Sequence, residues 1–141
     1  MRLTSPEQVL QTYKNAVEQK DLKAYIGLYH NQISIFDMWG PQWTVEDSLV
    51  WQHSTEEWFG SLGEEKVRVE SEEVQVRVTA QMSFLTAILK YSAVSPDQKI
   101  LRYLYNRLTW VLEPIDGSLR ITHQHTSAPI DHASLLASLK R

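Results

Sequence analysis

The stretch from Asp116 to Pro129, DGSLRITHQHTSAP, decides the fold. Asp116-Gly117 is a tight-turn signal between two strand-like segments. The run that follows alternates, which places Leu119, Ile121, His123, His125 and Ser127 on one face of a strand. Few folds end on a strand that leaves a tight turn and closes with His-x-His-x-Ser before a proline.

Upstream of that strand the period of two persists. Lys99 to Leu112 and Gln81 to Val94 read as two strands linked by a Ser95-Pro96-Asp97-Gln98 turn, both long against a usual strand of about 5–6 residues. Before them, Val67 and Val69 stand at odd positions whereas Val74, Val76 and Val78 stand at even ones. A single strand changes parity that way by inserting a bulge near Ser71 to Glu73; a break into two strands is the alternative. Both long strands are apolar on both faces. That predicts helices over one face and a second subunit over the other, hence a homodimer or larger assembly.

Helices occupy the amino-terminal part. Ser5 is an N-cap followed by Pro6 at the first helical position and Gln8 at the capping-box position, and Val9, Tyr13, Ala16 and Val17 recur at helical spacing. Asp21 caps a short second helix carrying Leu22, Tyr25, Leu28 and Tyr29. Ile33, Ile35 and Phe36 then lead into Asp37 and the turn-rich WGPQW loop. Thr44-x-x-Asp47 is expected to open a third helix that Gly63 closes, with Trp51, Thr55, Trp58 and Leu62 on one stripe.

Composition narrows the function classes. With 141 residues, 43% hydrophobic and 22% charged, the chain is expected to form a single domain over 1–141 with its own core. A net charge of −3 and scattered Lys and Arg argue against nucleic acid and anionic membranes as partners. Without cysteine there is no disulfide framework, thiolate nucleophile or Cys-based metal site. No apolar run has signal-peptide or membrane-span length, so a cytoplasmic location is expected.

The carboxy-terminal motif resembles the last strand of the nuclear-transport-factor-2-like superfamily, above all the SnoaL-like proteins and the association (hub) domain of calcium/calmodulin-dependent kinase II. The resemblance implies an α+β fold, a cone-shaped bent β-sheet with three amino-terminal helices packed in its concave face (a cystatin-like roll). A second resemblance lies in Val9 to Gly40, VLQTYKNAVEQKDLKAYIGLYHNQISIFDMWG, which is similar to the opening of the Δ5-3-ketosteroid isomerases. It implies that Tyr13 stands at the oxyanion-hole tyrosine and Asp37 at the catalytic base. In that chemistry a carboxylate in an apolar cone removes a proton from carbon while a phenol donates to the developing oxyanion, and no cofactor is used. The family's protonated Asp on the penultimate strand is missing near Leu108 to Trp110. Asn106, Thr109, Tyr103 and Tyr105 are candidate donors in its place.

Other residues carry weaker signals. Trp39, Trp51, Trp58 and Trp110 are candidate walls of a ligand site for a small planar organic molecule, with filler for a coreless cone as the alternative. Thr126 stands where hub domains often carry a pocket arginine, which removes the basis for carboxylate binding. If Thr126 faces inward, His123 and His125 face outward and hold no metal. Arg107 is a candidate anion contact or interface arginine, and the His53–Glu57 pair reads as a solvated helix pair. Two functions remain open: a cofactor-independent isomerase, dehydratase or cyclase with Asp37 as general base, and a non-catalytic ligand-binding or self-association module.

Overall fold

The amino-terminal helix is fixed at its first turn. Ser5 Oγ accepts the Gln8 N–H at 3.2 Å, and Gln8 Oε1 accepts the Thr4 N–H at 2.8 Å. These bonds satisfy two donors that a helix start leaves open. The computed structural model describes residues 2–141. Its elements run α1 (Pro6–Gln19), α2 (Leu22–Ile26), β1 (Tyr29–Phe36), β2 (Val45–Asp47), α3 (Ser48–Ser61), β3 (Lys66–Val78), β4 (Ser83–Val94), β5 (Ile100–Ile115) and β6 (Ser118–Ser127). The strands form one sheet in the order β2-β1-β6-β5-β4-β3. β1 runs parallel to β6 and every other neighbouring pair is antiparallel. The result is an α+β fold, three helices against the concave face of a curled, unclosed sheet.

Two local features make the sheet curl. β3 changes register between Glu72 and Gln75, and Glu73 takes a left-handed φ of 51°. This is the expected bulge, and β3 remains one strand. β6 changes register against β5, with Leu112 opposite Ile121 but Val111 opposite His123. Thr122 is the additional residue, and its side chain reaches the Val111 carbonyl.

The second bulge corrects the one-face reading of the last strand. Ile121 is fully buried on the concave face, whereas His123 and His125 lie on the convex face with Phe36. Gln124 and Thr126 turn inward in their place. Strict alternation fails here because one extra residue reverses parity for everything after it.

The third helix also differs from expectation. Thr44 does not open it; residues 45–47 instead pair with β1, and Asp47 caps the helix by accepting the Leu49 N–H at 2.9 Å. Edge pairing satisfies the backbone of 45–47, so the helix starts three residues later than the sequence signal suggests. Trp51, Thr55 and Phe59 form its buried stripe. Gly63, at φ 59°, follows the last turn as expected.

Past β6 the chain returns along β5. Leu139 accepts the Tyr105 N–H at 2.8 Å, Lys140 lies over the Tyr103 ring, and Arg141 pairs with Glu72 at 2.6 Å and Glu73 at 2.7 Å. This strap covers part of the convex face for which the sequence suggested only a second subunit.

The helix start is directly testable. Asp47→Ala should cost about 1 kcal/mol in urea unfolding, the usual loss for a helix cap. Thr44→Ala should stay within about 0.5 kcal/mol, as an ordinary surface change does. The reverse order would restore the Thr44 start.

Candidate functional site

The axis of the cone is filled by aromatic rings delivered from five elements. α1 supplies Tyr13, α2 supplies Tyr25, β1 begins with Tyr29, β4 carries Tyr91 and β5 carries Trp110. Burying a phenol requires a partner for its hydroxyl. The hydroxyls of Tyr13 and Tyr91 meet at 2.8 Å. Gln124 Oε1 accepts from Tyr29 at 2.6 Å and from Trp110 Nε1 at 2.8 Å, and Tyr29 also approaches Tyr25 at 3.3 Å. Burial pushes all four phenols upward in pKa, Tyr91 to about 12, so each is neutral and able to donate at physiological pH.

Among the described residues, Asp37 is the carboxylate that burial raises in pKa. It follows β1 directly, where Ile35 is buried and Phe36 is exposed, and strand parity therefore turns it inward. Thr126 Oγ1 donates to Asp37 Oδ1 at 3.2 Å while accepting the Met38 N–H at 3.0 Å. The Trp39 N–H also donates to the carboxylate. Burial raises the Asp37 pKa and outweighs these two bonds, which pull it down. The Asp37 charge in turn raises the pKa of both Tyr25 and Tyr91, placing the carboxylate within electrostatic reach of both phenols.

Asn106 completes the group. It lies on the inward face of β5, 6% exposed, with its side chain hydrogen-bonded to Tyr91. Its Oδ1 is buried without a partner. Trp58 is half-buried and packs against the Tyr25 and Tyr91 rings.

The sequence-derived candidates are therefore distributed unevenly. Trp58 and Asn106 neighbour Tyr91, Asp37 with its partner Thr126 lies within electrostatic reach of it, and Tyr13 is its hydrogen-bond partner. Trp110 is wholly buried in the core. Trp51 packs edge-on to Tyr29 and lines a separate cleft of about 120 Å³ with Ile26, His30 and Gln52. Trp39 lends its backbone N–H, but its indole is 54% exposed, and Trp43 is 94% exposed.

Sequence reasoning missed Tyr91, Tyr25, Tyr29 and Gln124 as site or support residues. Tyr91 continues the inward odd series Leu85, Ala87 and Leu89, a signal that was present. Gln124 was hidden by the bulge beside it.

On the convex face, Phe36 packs edge-on to both His123 and His125, and His123 Nδ1 lies 3.3 Å from Ser34 Oγ. Among the described residues no group of three or more His, Asp or Glu side chains is placed to hold a metal. Arg107 donates from Nε to Ser127 Oγ at 3.0 Å, and His53 meets Glu57 at 3.1 Å on the exposed side of α3. No helix is long and apolar enough to cross a membrane, among the described residues.

Comparison with known proteins agrees with this architecture. The family model of the SnoaL-like domain matches residues 7–131. An NTF2-like protein of unknown function from Pseudomonas putida KT2440 superposes with a TM-score of 0.83 at 18% identity, covering 96% of this chain and 92% of that one. A Xanthomonas campestris protein provisionally named a calcium/calmodulin-dependent protein kinase II association domain gives 0.73 at 14% identity, covering 91% and 94%. A protein provisionally named a dehydratase of the NTF2-like family, from Streptomyces avermitilis, gives 0.74 at 12% identity, covering 89% and 94%. At these identities the likeness is one of fold. No curated protein matches.

The carboxylate makes stability depend on pH in a definite sense. Because the folded-state pKa of Asp37 is raised, the native state holds this proton to higher pH than the unfolded chain, and ionisation works against folding. The cost begins as pH rises through the unfolded value of about 3.9 and is complete above the folded value. Asp37→Asn should accordingly be more stable than wild type at neutral pH, with the advantage vanishing below the unfolded value. Parallel urea melts across that window check this.

Proposed function

The chain belongs to the SnoaL-like domain family, and from that premise we propose that it is a small cofactor-independent enzyme that moves protons on a small organic carbonyl compound, in the manner of an isomerase, dehydratase or cyclase. Asp37 is the general base, removing a proton from the carbon next to the carbonyl. The Tyr91 hydroxyl donates to the oxygen on which charge develops. Tyr13, bonded to Tyr91 at 2.8 Å, holds that hydroxyl in place. Thr126 is a positioning residue, since its one proton goes to Asp37 while its oxygen accepts the Met38 N–H.

The observation that carries this reading is the inward-facing, desolvated Asp37 beside neutral phenols. A carboxylate with raised pKa is a stronger base than one in water, and donors fixed beforehand stabilise an oxyanion without reorganising. Apolar rings around the pair exclude water and suit a planar ligand.

A packed aromatic interior favours a second reading, a non-catalytic ligand-binding or self-association module. Turnover separates the two. Across a panel of enones, β-hydroxy carbonyls and epoxides, Asp37→Asn should lower kcat by about 10²–10⁴ while leaving affinity largely intact, because a base acts in the chemical step. Tyr91→Phe should lower it on the order of a hundredfold. Undiminished turnover in Asp37→Asn would remove the base assignment, and no wild-type turnover across the panel would favour the module.

We also propose self-association through the convex face, where Phe36, Phe84 and Val111 lie beside Thr109 and His125. Buried area of about 1,200–2,000 Å² would make a stable pair. Light scattering at micromolar concentration should report a dimer or larger species, and Phe36→Asp should give a monomer. A monodisperse wild-type monomer would contradict it.

A further inference from the structure

The hydrogen-bond inventory around Asp37 specifies what a ligand there must bring. Thr126 has no donor left to offer, because its one proton goes to Asp37. Asn106 is bonded to Tyr91 through its side chain, yet its Oδ1 is a buried acceptor with no partner. A buried carbonyl oxygen without a donor is costly, and a ligand that supplies an O–H or N–H removes that cost. Beside the Tyr91 hydroxyl, the site thus offers an acceptor that no protein donor fills.

Its charge is equally one-sided. The groups that set the ionisation of Asp37 are burial, Thr126 and the Trp39 backbone, with no cationic side chain among them. Facing it from α2 and β4 are Tyr25 and Tyr91, both neutral, and from β6 Thr126. Four cations are engaged elsewhere: Lys14 on Ser71, Arg107 on Ser127, Arg102 on Glu65, and Lys90 over Tyr103. His123 and His125 are on the other face of the sheet.

We propose that this site accepts neutral hydroxy-carbonyl compounds carrying a planar ring and rejects the corresponding carboxylates, with Asn106 Oδ1 accepting the ligand hydroxyl and the Asp37 charge repelling an anionic headgroup. The proposal rests on the same site as the catalytic reading, but it concerns binding alone. Two devices act together. Asn106 rewards a donor, because a buried acceptor discriminates strongly against an analogue that leaves it unpaired. Asp37 supplies the repulsion, because like charges in a partly desolvated site, with no counter-ion, disfavour each other more than in water. The rings of Trp58, Tyr25 and Tyr91 give the planar part of the ligand its contact surface.

Mandelamide, mandelate and phenylacetamide test this as a matched set, differing in charge or in one hydroxyl. Binding is followed by quenching of tryptophan fluorescence on the whole chain at neutral pH. Mandelamide should bind at least about tenfold more tightly than mandelate and on the order of tenfold more tightly than phenylacetamide. Mandelate should gain affinity in Asp37→Asn and, in the wild type, as pH falls through the Asp37 transition, while mandelamide changes little in either. In Asn106→Ala the preference for mandelamide over phenylacetamide should disappear; should that variant fail to fold, the wild-type ratios decide alone. Mandelate binding as tightly as mandelamide, phenylacetamide binding as tightly as mandelamide, or no binding by any of the three would overturn the inference. Asp37→Asn with full turnover but the expected binding ratios would instead overturn the base assignment and leave this inference standing.

Discussion

A curled sheet that does not close leaves an interior that must be filled, and this chain fills it with phenols and indoles. Every hydroxyl taken inside must then be paired, and that demand organises the rest of the molecule. Tyr13 reaches across from α1 to Tyr91 on β4, and Tyr29 and Trp110 share one Gln124 oxygen. The first joins a helix to a strand and the second joins β1 to β6, elements far apart in the chain. The cone is therefore held open by ring volume and fixed in shape by hydrogen bonds, rather than by aliphatic packing alone.

Against that background Asp37 and Asn106 depart from full pairing, as Trp51 Nε1 and Ser92 Oγ also do. Asp37 brings a charge into a region with no counter-ion, and Asn106 keeps an oxygen without a donor. Both cost stability, and structures keep such features where a site requires them. Thr126 commits its one proton to hold Asp37 in place. The proposed chemistry and ligand choice thus rest on residues that fit the interior poorly, with the phenols as their support.

Much of the fold was legible because local chemistry and tertiary demand agree. Ser5 with Pro6 fixed the start of α1, Asp116-Gly117 fixed the last turn, and the parity change between Val69 and Val74 located the β3 bulge. Legibility failed where a backbone irregularity left no mark on side-chain type. Thr122 has nothing in its identity to announce a bulge, so Ile121 and His123 read as neighbours on one face though they occupy opposite ones. Thr44 carried a good capping signal that edge pairing of 45–47 overrode. For the site, the inward placement of Asp37 follows from the parity of β1, whereas the phenol beside it could not be read from one strand. Tyr91 is recognisable as a donor only once α1 and β4 are brought together, which places Tyr13 one layer further back than sequence likeness implied.

The central claim is that Asp37 is a desolvated carboxylate turned into the cone. An NMR titration of its side-chain carboxyl carbon in the wild-type protein measures this directly. The account predicts a midpoint above the ordinary aspartate value of about 3.9, moving higher still in Thr126→Val, which removes a bond that favours the charged form. A midpoint at or below the ordinary value, unmoved by Thr126→Val, would contradict it.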